Sequence, residues 1–355
     1  WAVWMLQRRD GLIRFGAADL AALILLTLYG VSAIVACRTG NAREAINVVW
    51  AWIGLGVGFF LLRQLVHSGK EARAIVAVMI GLAVALSGHG LYQSLYELPE
   101  LRADYARDPE GMMQRHGVWY EPGSVARVQF ENRLNSREPY ATFALTNSLA
   151  GFLAPWFVVA VGLAVAEVGR SGRAATGTGQ IPAVTARPDR PTLLALAVVG
   201  PLIAACLLLT KSRSAYLAVL VGLGLVASLR HWRLRTIGWR LPVAAVGVLA
   251  VLVVGAIAAG GLDSEILSEA GKSLGYRVQY WQSTLAMIGD RPWLGCGPGQ
   301  FQNRYLAHKL PEASEEVADP HNFVLEVWAA AGTGALLALA AVLACFGWAV
   351  WRHAR

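Results

Sequence analysis

The chain has 355 residues, of which 56% are hydrophobic and only 15% charged. Soluble globular domains carry roughly 25% charged residues, so this composition excludes an ordinary soluble fold. The formal net charge of +8 is spread over the segments between apolar runs and forms no aromatic-interleaved basic patch, which excludes a nucleic-acid partner and points to membrane topology.

Several apolar runs reach about 18 residues or more, and the alternating pattern of a membrane β-barrel is absent. The predicted fold is therefore all-α, a polytopic transmembrane helical bundle of about eight spans. The chain opens at Trp1 on a basic, aromatic lead-in with Arg8, Arg9 and Arg14. It reads as a fragment without a cleavable signal peptide. Spans are predicted over Ala17–Cys37, Ala45–Val66 and Ala72–Leu95. A polar segment follows, Glu97–Pro139, with eight acidic and six basic residues. The fourth span is predicted over Tyr140–Glu167, and the Gly-, Ala-, Thr- and Pro-rich run Arg170–Pro191 reads as a flexible loop. The fifth span is Thr192–Thr210, and the short break Lys211–Ser214 separates it from the sixth, Ala215–Leu229. A basic turn, Arg230–Arg240, precedes the seventh span, Leu241–Gly261. The second large polar segment is Leu262–Pro320, and the last span runs from His321 to Trp351.

With the N-terminus cytoplasmic, most short-loop arginines fall inside, as the positive-inside rule requires. Both large polar segments and the Lys211–Ser214 turn then share the outer face, each polar segment carrying short amphipathic helices. Two regions are expected: 1–139, the N-terminal helices and first outer segment, and 140–355, a membrane domain with the large outer loop 262–320.

Candidate chemistry concentrates at that outer face. Lys211 and Arg213 flank a helix start. They read either as cations snorkelling to the interface or as an anion site, where a guanidinium fork and helix N–H groups converge on phosphate oxygens. Arg277, Tyr280 and Trp281 share one helical face. That pattern predicts a surface-lying amphipathic helix able to aim Arg277 at a lipid head group. Gly289–Phe301 packs four glycines and two prolines into thirteen residues and reads as a fixed, turn-rich connector. It is not a phosphate-binding loop, and Cys296 within it reads as a small filler.

In Asp319-Pro320-His321-Asn322, Pro320 fixes entry to a helix and Asn322 can bond its backbone. His321 is either a packed or capping residue or a general base held at the membrane surface. Glu326, further along the same helix, is expected to face the protein interior if it lies within the membrane. His116, Trp119, Tyr120, Arg127, Arg133 and Arg137 make the first outer segment either a sugar-binding lid or a solvated loop. The four cysteines, Cys37, Cys206, Cys296 and Cys345, show neither disulfide nor metal spacing. No metal motif is present, so no metal or cofactor is expected.

The pieces Thr210–Leu225, Tyr276–Phe301 and His321–Leu337 resemble the O-antigen ligase and polymerase superfamily of bacterial envelope proteins, and Ala141–Leu153 looks like an earlier membrane segment of the same family. That resemblance implies a metal-independent, inverting glycosyltransferase of the bacterial inner membrane with its site on the extracytoplasmic face. The implied donor is a glycan on polyprenyl (undecaprenyl) diphosphate, and the implied acceptor is a hydroxyl of a glycolipid, a glycan or a protein. Carried onto this chain, it makes Arg213 and Arg277 diphosphate-binding, with Lys211 beside them, and His321 the base that activates the acceptor. Asn322, Glu326, Tyr280 and Trp281 are then supporting residues. Family members commonly have more spans, so N-terminal helices are expected to be missing from this chain. The alternatives are a transporter of lipid-linked glycans and a non-enzymatic membrane scaffold; a transporter would favour an inverted repeat and broken helices.

Overall fold

The computed structural model describes residues 13–175, 190–233, 264–313 and 316–354. The described residues are helices joined by turns, with no strand among them. The predicted span Leu241–Gly261 and much of the loop Arg170–Pro191 lie outside the described residues. The chain divides into two compact units, Trp1–Ala72 with Ser264–Arg355, and Arg73–Asp263.

The first unit contains α1 (Ala17–Thr39) and α2 (Ala42–Leu65), each long and apolar enough to cross a bilayer. Asn41 starts α2 because its side chain accepts the Glu44 N–H. At the other end of the hairpin the buried Asp19 is paired with Arg63 at 2.9 Å, and the Gln64 amide exchanges two hydrogen bonds with the Arg14 backbone.

In the second unit, α3 (Gly69–Tyr92) runs through a π-helical turn, Gln93–Glu97, into α4 (Leu98–Arg107). Two short helices follow, α5 (Pro109–Arg115) and α6 (Val125–Asn135). The unit is completed by α7 (Thr146–Ala175), α8 (Arg190–Leu209) and α9 (Arg213–Arg233). Pro155 and Pro201 lie inside α7 and α8. Such helices keep their course because neighbours satisfy the freed backbone groups. The core of this unit is small and aliphatic: Ala83, Leu149, Leu153, Ile203, Leu207 and Val219.

The first unit resumes at α10 (Ser264–Asp290), then α11 (Phe301–His308) and α12 (Phe323–Ala354). The predicted loop holds the 27-residue α10 and the short, eight-residue α11. The apolar face of α10 is continued by Met287 and Ile288, buried against Phe301 and Tyr305 of α11. α12 packs along α1 through Leu25, Tyr29, Ala331, Ala335 and Ala338. Small residues at such a seam let helix backbones approach closely, the packing available where lipid removes the hydrophobic drive.

α12 is broken at Gly332, where φ is 80° and ψ −177°. The glycine-rich loop fills the break. Cys296 N–H donates to the Ala329 carbonyl at 2.7 Å, Gly297 N–H to Ala330 at 3.1 Å, and Thr333 N–H to Pro292 at 2.8 Å. The Ser32 hydroxyl of α1 lies within hydrogen-bond reach of the Leu294 and Ala330 carbonyls. Irregular backbone inside an apolar segment survives only where the protein itself supplies such partners. The predicted turn-rich connector is thus a wedge. Gly295, Gly297 and Gly299 all have left-handed φ, and a Cβ on Gly295 would lie 2.4 Å from the Ala329 carbonyl oxygen.

Candidate active site

In the first unit the candidate residues meet where α10 passes the start of α12. Arg277, Tyr280 and Trp281 sit three and four residues apart, so one face of α10 carries all three. Trp281 donates its indole N–H to the Pro320 carbonyl at 3.0 Å. The Tyr280 ring meets His321 edge to face, with centroids 6.0 Å apart, and Tyr280 is itself buried against Tyr305. Arg277 is exposed one turn earlier on the same helix.

His321 has a left-handed backbone, φ 48°. Non-glycine residues rarely adopt it, and such strain of about 1–3 kcal/mol gathers at functional positions. Asp319 holds it there. Its carboxylate accepts the His321 backbone N–H at 2.7 Å and lies 2.9 Å from the ring Nδ1. The ring is thereby oriented with Nε2 as its other nitrogen, and it is exposed. Asn322 is the cap of α12, its side-chain oxygen accepting from Val324 N–H at 3.1 Å and Leu325 N–H at 3.3 Å. That agrees with its predicted bonding to the backbone. Glu326 is solvent-accessible and lies beside the buried stripe of α12, which runs through Val327, Ala331 and Ala335. Asp319 is absent from the sequence-derived candidates; its signal was only a carboxylate two residues before a histidine.

In the second unit, Lys211 is also left-handed, φ 52°, and turns the chain from α8 into α9. Thr210 and Ser212 point inward, 2% and 3% exposed, which leaves Lys211 and Arg213 facing out. The turn is closed by the Tyr216 hydroxyl, which donates to the Leu208 carbonyl at 2.7 Å, and by Tyr216 N–H to Ser212. Glu138, at the end of the first polar segment, is near enough to feel the Lys211 charge. Burial pushes its carboxyl above the ordinary range and Lys211 opposes that shift. The polar segment and the Lys211–Ser214 turn therefore share one end of this unit.

The third left-handed non-glycine among the described residues, Ala141, lies next to this region. The buried Gln93 amide accepts both the Tyr140 and Ala141 N–H groups at 2.9 Å. The polar segment itself is neither a bare lid nor a solvated loop. Met112, Met113 and Leu134 form its core, and Arg127, 8% exposed, is enclosed by Glu131, the Met113 sulfur and the Tyr120 carbonyl. Arg127 is thus a packing residue, whereas His116, Trp119 and Arg133 stay exposed.

Helices of this length and hydropathy, bundled without strands among the described residues, define a multi-pass helical membrane protein. Residues 198–340 match the family described as O-antigen ligase, which supports the resemblance to that superfamily and an O-antigen ligase- or polymerase-type membrane glycosyltransferase activity in general. The matched stretch contains Lys211, Arg213, Arg277, Tyr280, Trp281, His321, Asn322 and Glu326, while Ala141–Leu153 lies before it. No curated protein and no solved structure matches the chain.

Proposed function

We propose that the protein transfers a glycan from a polyprenyl-diphosphate carrier to an acceptor hydroxyl, at the extracytoplasmic face of the bacterial inner membrane and without a metal. The observation that carries this reading is the His321 turn. A histidine inside the matched segment is fixed at a helix start, its Nδ1 held by Asp319 and its outer face open. His321 takes the proton of the acceptor hydroxyl as its oxygen attacks the anomeric carbon. The bond from that carbon to the diphosphate oxygen breaks, and the diphosphate leaves on its lipid. One displacement inverts the anomeric centre. Arg277, on the helix face that carries Tyr280 and Trp281, neutralises the departing charge, and the resemblance assigns diphosphate binding to Lys211 and Arg213 as well. Tyr280 and Trp281 hold the base in position, and Asn322 starts its helix. Residues 1–139 form the N-terminal region and 140–355 the catalytic membrane domain. The acceptor is a glycolipid, a second glycan or a protein hydroxyl.

The test is glycan transfer in envelope membranes, wild type beside His321→Ala and Arg277→Ala at matched protein levels. Loss of high-mass product with accumulation of the lipid-linked donor supports the proposal; unchanged product overturns it. The broken α12 favours one second reading, a transporter of lipid-linked glycans. Against it, the Ala329 and Ala330 carbonyls at the break are engaged by Cys296, Gly297 and Ser32 and are not left for a cargo ion. A transporter would move the donor across the bilayer with no covalent product.

A further inference from the structure

The first polar segment lines an open cleft of about 490 Å3 within the Arg73–Asp263 unit. That volume falls in the usual range of small-molecule sites. Phe130, Met112 and Val118 give it an apolar floor, and Glu100, Asp104, His116 and Arg133 stand among its polar lining. Tyr140 forms one wall and is fixed from two sides. The Arg133 guanidinium lies 4.6 Å over its ring, and its backbone N–H is bound to the buried Gln93. Arg133 is in turn bonded to the Ala144 carbonyl. A wall held this way is preorganised, so a ligand pays little to order it.

We propose that this cleft binds a saccharide of the glycan substrate, neutral or amino-bearing. This rests on the transferase reading above. Three features select that class. Sugar hydroxyls donate to carboxylates, and the C–H face of a pyranose lies against an aromatic floor. With Glu97, Glu100 and Asp104 against Arg133, carboxylates outnumber cations, which disfavours a diphosphate or an acidic sugar. Among the described residues no trio of His, Cys, Asp and Glu is placed to hold a metal ion, these acids included, so the acids are not a cation cage. Asp104 also faces Arg107, at 3.9 Å, which leaves Glu100 the more available acceptor. Tyr140 lies two residues beyond Glu138, the carboxylate within reach of the Lys211 charge, so sugar and proposed diphosphate contacts share one end of the unit.

The experiment is saturation-transfer NMR on the full chain in nanodiscs. The probes are methyl glucopyranoside, methyl glucosaminide and the methyl glycoside of glucuronic acid. The neutral and amino probes are expected to bind, with the glucuronide weaker. Glu100→Gln and Asp104→Asn, both isosteric, should weaken binding about tenfold with an unchanged melting temperature. Absence of binding by the neutral and amino probes, or equal binding by wild type and both variants, overturns the proposal. Binding that follows this pattern in a protein that forms no glycan product upholds the cleft and removes the transferase reading, so the two failures are distinguishable.

Discussion

The Trp281 indole N–H and the Pro320 carbonyl lie 3.0 Å apart, and this bond ties the aromatic face of α10 to the strained turn that presents His321. Trp281→Phe keeps most of the ring and removes the donor. The expected cost in stability is about 1 kcal/mol, the net value of one hydrogen bond. Transfer should fall more, about tenfold, because a base displaced by a fraction of an ångström acts poorly. Melting temperature and transfer rate measured together check this, and an unchanged rate would separate the turn from catalysis.

Gly332→Ala should prevent folding of the first unit. A Cβ there would sit 2.1 Å from the Trp293 carbonyl oxygen, on a backbone with φ 80° that alanine resists. The strain alone is about 1–3 kcal/mol, and the clash adds to it. Gly347→Ala, further along the same helix with open space around it, should be silent. Size-exclusion profiles and melting of the two variants decide the matter.

His308 supplies a pH dependence. Its Nδ1 lies 3.0 Å from the Arg304 carbonyl and its Nε2 2.7 Å from Asp290. Both partners favour the imidazolium, the carbonyl first, and the pKa is raised above the ordinary value of about 6.5 despite slight burial. A raised folded-state pKa means the stabilisation is complete below the ordinary value and is lost as pH rises through the folded one. Asp290→Asn should therefore lower the melting temperature more at pH 5.5 than at pH 8.5. Equal losses at both would show that the pair carries no proton-linked stability.

Cys296 should be chemically silent. It is 6% exposed, and burial pushes its thiol up to about 11. The thiolate is the reactive form, so native protein at neutral pH should resist maleimide at this position and react only after denaturation. Rapid native labelling of Cys296 would mean that the glycine wedge opens.

Much of the fold was legible because a bilayer demands long apolar runs. α1, α2, α3, α7 and α12 fall on predicted spans, and the shorter apolar stretches of α8 and α9 lie where the fifth and sixth were expected. Asn322 as a helix cap was legible too, since the residue type and the preceding proline act locally. The break at Gly332 was not. Its neighbours read as unbroken helix, and the need for glycine there comes from Trp293 and Leu294, some forty residues earlier, which occupy the space a Cβ would need. Asp319 was missed for a related reason, as its role depends on the left-handed φ of His321. The short helices of the first polar segment were expected, and the packing of its charged residues was not. Arg127 reads as a surface cation until Met113 and Glu131 close around it.

The Gln300 side chain has a consequence for how the protein is made. Its amide oxygen accepts the Asn41 N–H and its nitrogen donates to the Asn41 carbonyl, joining residues 259 positions apart. At a synthesis rate of about 5–20 residues per second, the α1–α2 hairpin waits roughly 13–50 s for this clasp to be translated. Throughout that interval the Ser32 hydroxyl and the α1 face that will meet α12 lack their final partners. The α1–α2 hairpin is thus locked only late in synthesis, and a nascent chain stalled before the glycine wedge presents the insertion machinery with an unfinished surface.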